Sequence, residues 1–438
     1  MTIPFQDELI TETLQWLDDS ALLSKKEVTD HAKMLVLDTL ACVNAAYLSP
    51  TINELESNFS TFDPGPYAIH HGPKMSALSL AQLFAYSACW HEACEGHASA
   101  HGRPGIATLA AIYPFASRLS WGQFLEAFVY GYEMSVRFAQ MLRIKPGMHV
   151  DGNWPSLGAT VAVGKCLALS NAQLLNAINI TGSQIPMSLY LPIEQGSNSR
   201  NSYLGHAAVL GIQSAMAALT SLTAPRASSL AYAQIALGNE TPMWNKSHEF
   251  EILNAYIKPF AAVRHVHYGA IAAMELKERI DIQAITEIVL EIYEEATIYC
   301  GNRNPQSAIQ AQFSLSFGIA AALVMNHLSF EIYDPNILFH PEVRRIEKII
   351  QVKINPELTR LKKRGARLSI LERDQWHHAE VGSILGDANR PMSTSQIKDK
   401  FMHYSQETLG TQASIQIWDK VTQGELSERA WDVLHVTD

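Results

Sequence analysis

The chain has 438 residues, 47% of them hydrophobic and 17% charged, which excludes an intrinsically disordered protein and allows two or three domains with a sizeable core. A formal net charge of −10 argues against non-specific nucleic-acid binding, which needs a basic face. The five cysteines, Cys42, Cys89, Cys94, Cys166 and Cys300, include no C-x-x-C pair, so no zinc ribbon, dithiol centre or iron–sulfur cluster is expected, and free thiols fit a reducing compartment.

The acidic N-terminus carries no basic region ahead of an apolar run, so it does not read as a secretory signal. No run of 18 or more apolar residues predicts a membrane span, and a cytoplasmic location is the expectation. Helices follow one another. Ser24 is expected to cap a helix over residues 24–48, with Val28, Ala32, Leu35, Val43 and Ala46 near one face. Ser120 opens another, which carries Phe124, Phe128, Tyr132 and Val136 at four-residue steps. Residues 157–169, rich in Ala, Val and Gly, predict a buried central helix. Ser170 or Asn171 caps the next, and residues 205–222 predict a further alanine-rich helix.

After about residue 260 the pattern changes. Residues 285–293 mix alternation with β-branched side chains, as a half-buried strand does. Residues 349–354 and 366–371 predict further strands, and residues 314–324 and 341–346 predict helices. The stretch is therefore expected to be α+β with an antiparallel sheet. Helices return from Ser393 to about Tyr404 and over residues 411–421. The expected organisation is a large all-helical domain (1–260), a smaller α+β lid domain (261–392) and C-terminal helices (393–438) that return to the helical domain.

Three segments gather groups that can carry chemistry. Residues 90–105 hold His91, His97 and His101, Glu92 and Glu95, and Arg103, punctuated by Gly and Pro between apolar helices. A metal reading pairs His97 with His101 at i, i+4, but Gly102 and Pro104 break the helix and no third ligand stands nearby, so no metal is expected. A polar loop of satisfied histidines is the plain alternative. His149 lies just ahead of the Gly/Ala-rich helix, where a surface-loop histidine is the plain alternative. Residues 258–267 hold Lys258, Arg264, His265 and His267, and an anion site and a solvated surface fit them equally. Histidine carries protons near neutral pH, and arginine grips a carboxylate with two parallel hydrogen bonds. An acidic chain that gathers these residues in a few loops points to carboxylate chemistry.

The order of the segments resembles the MmgE/PrpD family. His101-Gly102-Arg103-Pro104-Gly105 resembles its His-Pro loop, and His149, ahead of Leu157-Gly158-Ala159, its second active-site histidine. Arg200 to Ala208 resembles its Lys-x-x-His-x-Gly-x-Ala-Ala, and Lys258 to His267 the segment that ends in its third histidine. Phe313 to Leu323 resembles a family helix, and Gly386 to Ser393, followed by Lys398 to Phe401, a further pattern. The match runs over residues 5–420.

The resemblance implies an active site between a helical domain and a lid, a homodimer, and no metal or cofactor. The implied reaction is lyase chemistry on a small di- or tricarboxylic acid, dehydration of a substituted citrate-like hydroxy acid first. Decarboxylation, epimerisation or non-catalytic carboxylate binding stand as alternatives. It implies His101 or His149 as the proton-transfer residue. His267, Arg264, Lys258 and Arg200 would bind carboxylates, Tyr203 would supply a hydrogen bond or a proton, and Glu95, His97 and Arg103 would be further contacts. The departures are specific: the family's aspartate has no clean counterpart, with Glu92 or Glu95 nearest. Its lysine is Arg200, its next histidine Tyr203, and its tyrosine Phe317.

Overall fold

The computed structural model describes residues 3–436; the two residues at each end, included in the expected domain limits, lie outside the described residues. The helical part is built around α1 (Lys26–Ala46), α2 (Ala77–Cys89), α3 (Pro104–Ile112), α4 (Trp121–Met141), α5 (Pro155–Cys166), α6 (Asn171–Gly182) and α7 (Tyr203–Ala217). Helix α5 is the central one: residues 155–164 are all buried, and it packs against α3, α4, α6 and α7. Small residues make this possible. A Cβ on Gly158 would stand 2.6 Å from the Gly131 carbonyl oxygen, and one on Gly211 would stand 2.6 Å from the Ala159 side chain.

Helix starts follow local capping chemistry. Ser120 and Ser170 each accept from the backbone N–H three residues on, and Gln123 and Gln173 return the bond. Ser24 does not cap α1. Its hydroxyl donates back to the Ala21 carbonyl at 2.7 Å and closes a short 3₁₀ turn, so the helix begins at Lys26 without a side-chain cap.

The second part contains α8 (Arg264–Lys277), β1 (Ile285–Ile292), α9 (Glu294–Cys300), α10 (Leu315–Met325), α11 (Pro341–Ile349), β2 (Ile350–Ile354), β3 (Ala366–Glu372) and β4 (Gln375–Val381). The four strands form one sheet in the order β2-β1-β3-β4. Two pairings are antiparallel, as expected, and the third, β1 with β2, is parallel because the chain returns through helices between them. Strand β4 went unpredicted: its exposed, polar residues at the sheet edge leave little apolar alternation to read. Helix α10 is buried from Leu315 to Leu323 and packs between α8 and α11.

The C-terminal helices α12 (Thr394–Leu409) and α13 (Thr411–Gln423) return to α1. From α12 the buried Lys400 ammonium pairs with Asp38 at 2.5 Å. It also donates to the Ala93 and Lys258 carbonyls, each at 2.8 Å. This pins together two of the three segments singled out above. Among the described residues no single helix is long and apolar enough to cross a membrane.

Candidate active site

The loop between α2 and α3 is held open by its own backbone. Glu92 (φ 52°) and His101 (φ 54°) both adopt left-handed conformations that side chains other than glycine's rarely take. Such strain persists only where surrounding contacts fix it, and it clusters at functional sites. Gly96-His97 pairs antiparallel with Ala255-Tyr256, and Met148-His149 with Ser188-Leu189. These short ladders fix the loops around a cavity of about 330 Å³ that draws its walls from both parts of the molecule. Glu92, His97, His101, Arg103, His149, Asp151, Arg200, Tyr256 and Lys258 face it from the helical side; Arg264, His265, Tyr299 and Arg364 face it from the other.

A buried ionic network forms its base. Glu92 accepts from Lys258 at 2.6 Å, Arg200 at 2.7 Å and Arg103 at 3.1 Å. Arg103 also pairs with Asp151, whose carboxylate stands 3.8 Å from Arg200. All five side chains are nearly sealed from solvent. Burial alone would raise the Glu92 carboxyl, but Arg103, Lys258 and Arg200 hold it well below the ordinary range. Burial likewise raises Asp151, and Arg103 and its neighbours win, leaving it lowered. Burial lowers Lys258, and Glu92 restores it only in part. Three cations therefore face two carboxylates where burying unmatched charge is costly. Over the whole cavity wall the count is six Lys and Arg against three carboxylates. In a chain of net charge −10, this is a local excess of positive side chains.

His149 sits at the wall with its Nδ1 accepting from the Asp151 backbone N–H at 3.1 Å, so the neutral ring carries its proton on Nε2. Burial pushes its pKa down to about 4, with Asp151 opposing. Its Nε2 has no protein partner among the described residues and is not sealed from solvent, so it opens toward the cavity. The ring is held between Tyr190 (6.1 Å, near-parallel) and Tyr203 (5.6 Å). His101 lies at the exposed rim; burial, then Arg143 and Arg364, lower its pKa and keep it neutral near pH 7.

Of the residues expected from sequence, His97, His101, Arg103, His149, Arg200, Lys258 and Arg264 come together on the cavity wall. His97 is held by the Glu251 carbonyl at 3.1 Å and Ser99 at 3.1 Å. Arg264 is engaged by Asp387 at 2.5 Å and lies over the Tyr256 ring.

Three expected residues lie off the wall. Glu95 is fully buried and accepts from the Gly105 N–H at 2.8 Å and Tyr132 at 3.1 Å; it caps the start of α3 rather than facing the cavity. Tyr203 donates to the Leu189 carbonyl at 3.0 Å and backs His149. His267 is buried, with Nε2 at the Ala262 carbonyl (3.0 Å) and Nδ1 sealed without a partner. Helix α8 starts at Arg264, and residues two apart on a helix point to nearly opposite sides, so His265 faces the cavity and His267 the core. The missing family hydroxyl at Phe317 also falls in the core, stacked on Tyr333.

Sequence reasoning gave no site role to Asp151, Tyr256, Glu295 and Arg364, and within residues 258–267 it chose His267 over His265. Asp151, two residues from His149, and His265 lay inside segments already singled out. Arg364, in the turn before β3, carried no local signal. Among the described residues no group of three or more His, Cys, Asp and Glu side chains is placed to hold a metal ion.

Two family models match this arrangement in order. The MmgE/PrpD N-terminal domain matches residues 15–232, and the MmgE/PrpD C-terminal domain matches residues 260–423. No curated protein matches the chain. The helical part falls under the first model and the sheet-bearing part under the second. With both halves matched along nearly the whole chain, the protein belongs to the MmgE/PrpD family.

Proposed function

We propose that the protein is a lyase that acts on a small di- or tricarboxylic acid, dehydrating a substituted citrate-like hydroxy acid by histidine-mediated proton transfer. One observation carries the reading: three buried cations against two carboxylates, at the base of a cavity that also exposes neutral histidines. A polycarboxylate supplies the negative charge that this base lacks. Family membership supports the same reaction class.

Elimination of water next to a carboxylate needs a base at carbon, stabilisation of the enolate-like charge, and a proton for the departing hydroxyl. His101, uncommitted at the rim, is the base at carbon. His149 directs an Nε2–H into the cavity and hydrogen-bonds a substrate oxygen on which charge develops. Arg200 and Lys258 hold carboxylates. Arg200 stands where the resemblance places a lysine, and a guanidinium keeps its proton. It is also tied to Glu92 and to Asn201 at 3.1 Å, so it binds, and the histidines move protons.

The test is proton NMR of purified protein with 2-methylcitrate, citrate, longer alkylcitrates, cis-aconitate and iminodisuccinate. An unsaturated tricarboxylate formed from a hydroxy acid is the expected product. Carbon dioxide release, or inversion without loss of water, would replace dehydration by decarboxylation or epimerisation. Binding without any product would replace catalysis by carboxylate binding alone.

A further inference from the structure

His265 lines the cavity from α8, and a tyrosine behind the wall holds one of its ring nitrogens. Its Nδ1 lies 2.5 Å from the Tyr293 hydroxyl, and its ring stacks on Tyr299 at 6.2 Å and 13°. Both tyrosines come from the turn and helix that follow β1, so one rigid element fixes the ring's position and orientation. Nε2 has no protein partner among the described residues and is not sealed from solvent, and the residue lines the cavity. This is the geometry of a proton carrier: one nitrogen anchored, the other presented.

The surroundings set when the ring is charged. Arg264 on its own helix, Arg364 from the turn before β3, and His101 from the opposite loop all disfavour the imidazolium in the empty cavity, as burial does first. The cavity-lining carboxylate on this wall, Glu295, is engaged by Arg364 at 3.4 Å. A bound polycarboxylate would place negative charge among these cations and so favour the imidazolium, with Nδ1–H donated to the Tyr293 oxygen and Nε2–H facing the substrate.

We propose that His265, anchored by Tyr293, is the acid that delivers a proton to the departing hydroxyl, opposite the base His101. The inference rests on the lyase reading above. The step balances: His101 takes the C–H proton, that electron pair forms the carbon–carbon double bond, and the C–O bond breaks. The hydroxyl takes the Nε2 proton of His265 and leaves as water, which returns His265 to neutral imidazole.

The test separates the two proton transfers. Wild type, H265N, Y293F and H101N are incubated with 2-methylcitrate in D₂O, and deuterium entry at carbon and dehydration are followed together by NMR, with thermal unfolding checked for each variant. H265N is expected to keep deuterium entry within a few-fold of wild type and to lose dehydration by about 10²–10⁴-fold. Y293F is expected to lose dehydration by less and also to keep exchange, whereas H101N loses both. H265N that dehydrates like wild type, or that loses exchange and dehydration in parallel while folded, overturns the role of His265. Wild type that exchanges none of the acids overturns the lyase reading, and the inference with it.

Discussion

Glu92→Gln perturbs the centre of the site with little change in shape. In the wild type its carboxylate meets Lys258 at 2.6 Å, Arg200 at 2.7 Å and Arg103 at 3.1 Å, all nearly sealed from solvent. The amide leaves these three cations facing Asp151 alone. Removing one partner of a buried ionic network costs about 3–5 kcal/mol, because the remaining charges stay buried and unmatched. Urea unfolding followed by tryptophan fluorescence, with Trp154 on the cavity wall, measures it. The expected result is a lower midpoint with an unchanged slope. A second arm adds tricarballylate, a tricarboxylate without a leaving hydroxyl. A ligand that binds only the native state stabilises it in proportion to its affinity, and the freed cations of E92Q should bind this one more tightly than wild type does. E92Q within about 0.5 kcal/mol of wild type, the range of an ordinary surface substitution, would refute the network as the site's foundation.

Other consequences are open to measurement. His149→Ala should lower turnover by about 10²–10⁴-fold while thermal stability changes little, and a fully active variant would remove His149 from the mechanism. Burial raises Glu95 to about 8, so the folded state keeps a proton that the unfolded chain releases above its ordinary 4.5. That contribution is complete below pH 4.5 and falls as pH rises through 8, by up to about 1.4 kcal/mol per pH unit. E95Q should therefore gain stability over wild type steadily from pH 5 to 8, and parallel unfolding curves would count against it. His31, His91, His149 and His435 are held near 4 by burial first of all, and His70 near 3. They favour the folded state fully above about pH 6.5, and that support is lost as pH falls toward 4. A melting temperature that stays flat from pH 7 to 5 would contradict this.

The helical part and three of the four sheet strands were legible in the sequence because caps and periodicity are local signals. The parallel pairing of β1 with β2 was not, since strand order is set by packing across the 57 residues between Ile292 and Ile350. The loops of the site were legible as clusters of His and Arg. What each residue faces was not. His265 and His267 stand two apart and differ only in which side of α8 they occupy. Glu92 and Glu95 stand three apart in one loop, yet one anchors three cations and the other caps a helix. Arg364 reaches the cavity from a turn whose sequence gives no reason to single it out.

The central claim is that this cationic cavity moves a proton at a carbon beside a carboxylate. The most direct measurement is the rate at which deuterium from D₂O enters 2-methylcitrate at that carbon, with tricarballylate as a competitor. The account predicts enzyme-dependent entry that the competitor suppresses and that H101N abolishes. Bound substrate whose carbon-bound protons stay unexchanged, alone and across the other acids, would contradict it.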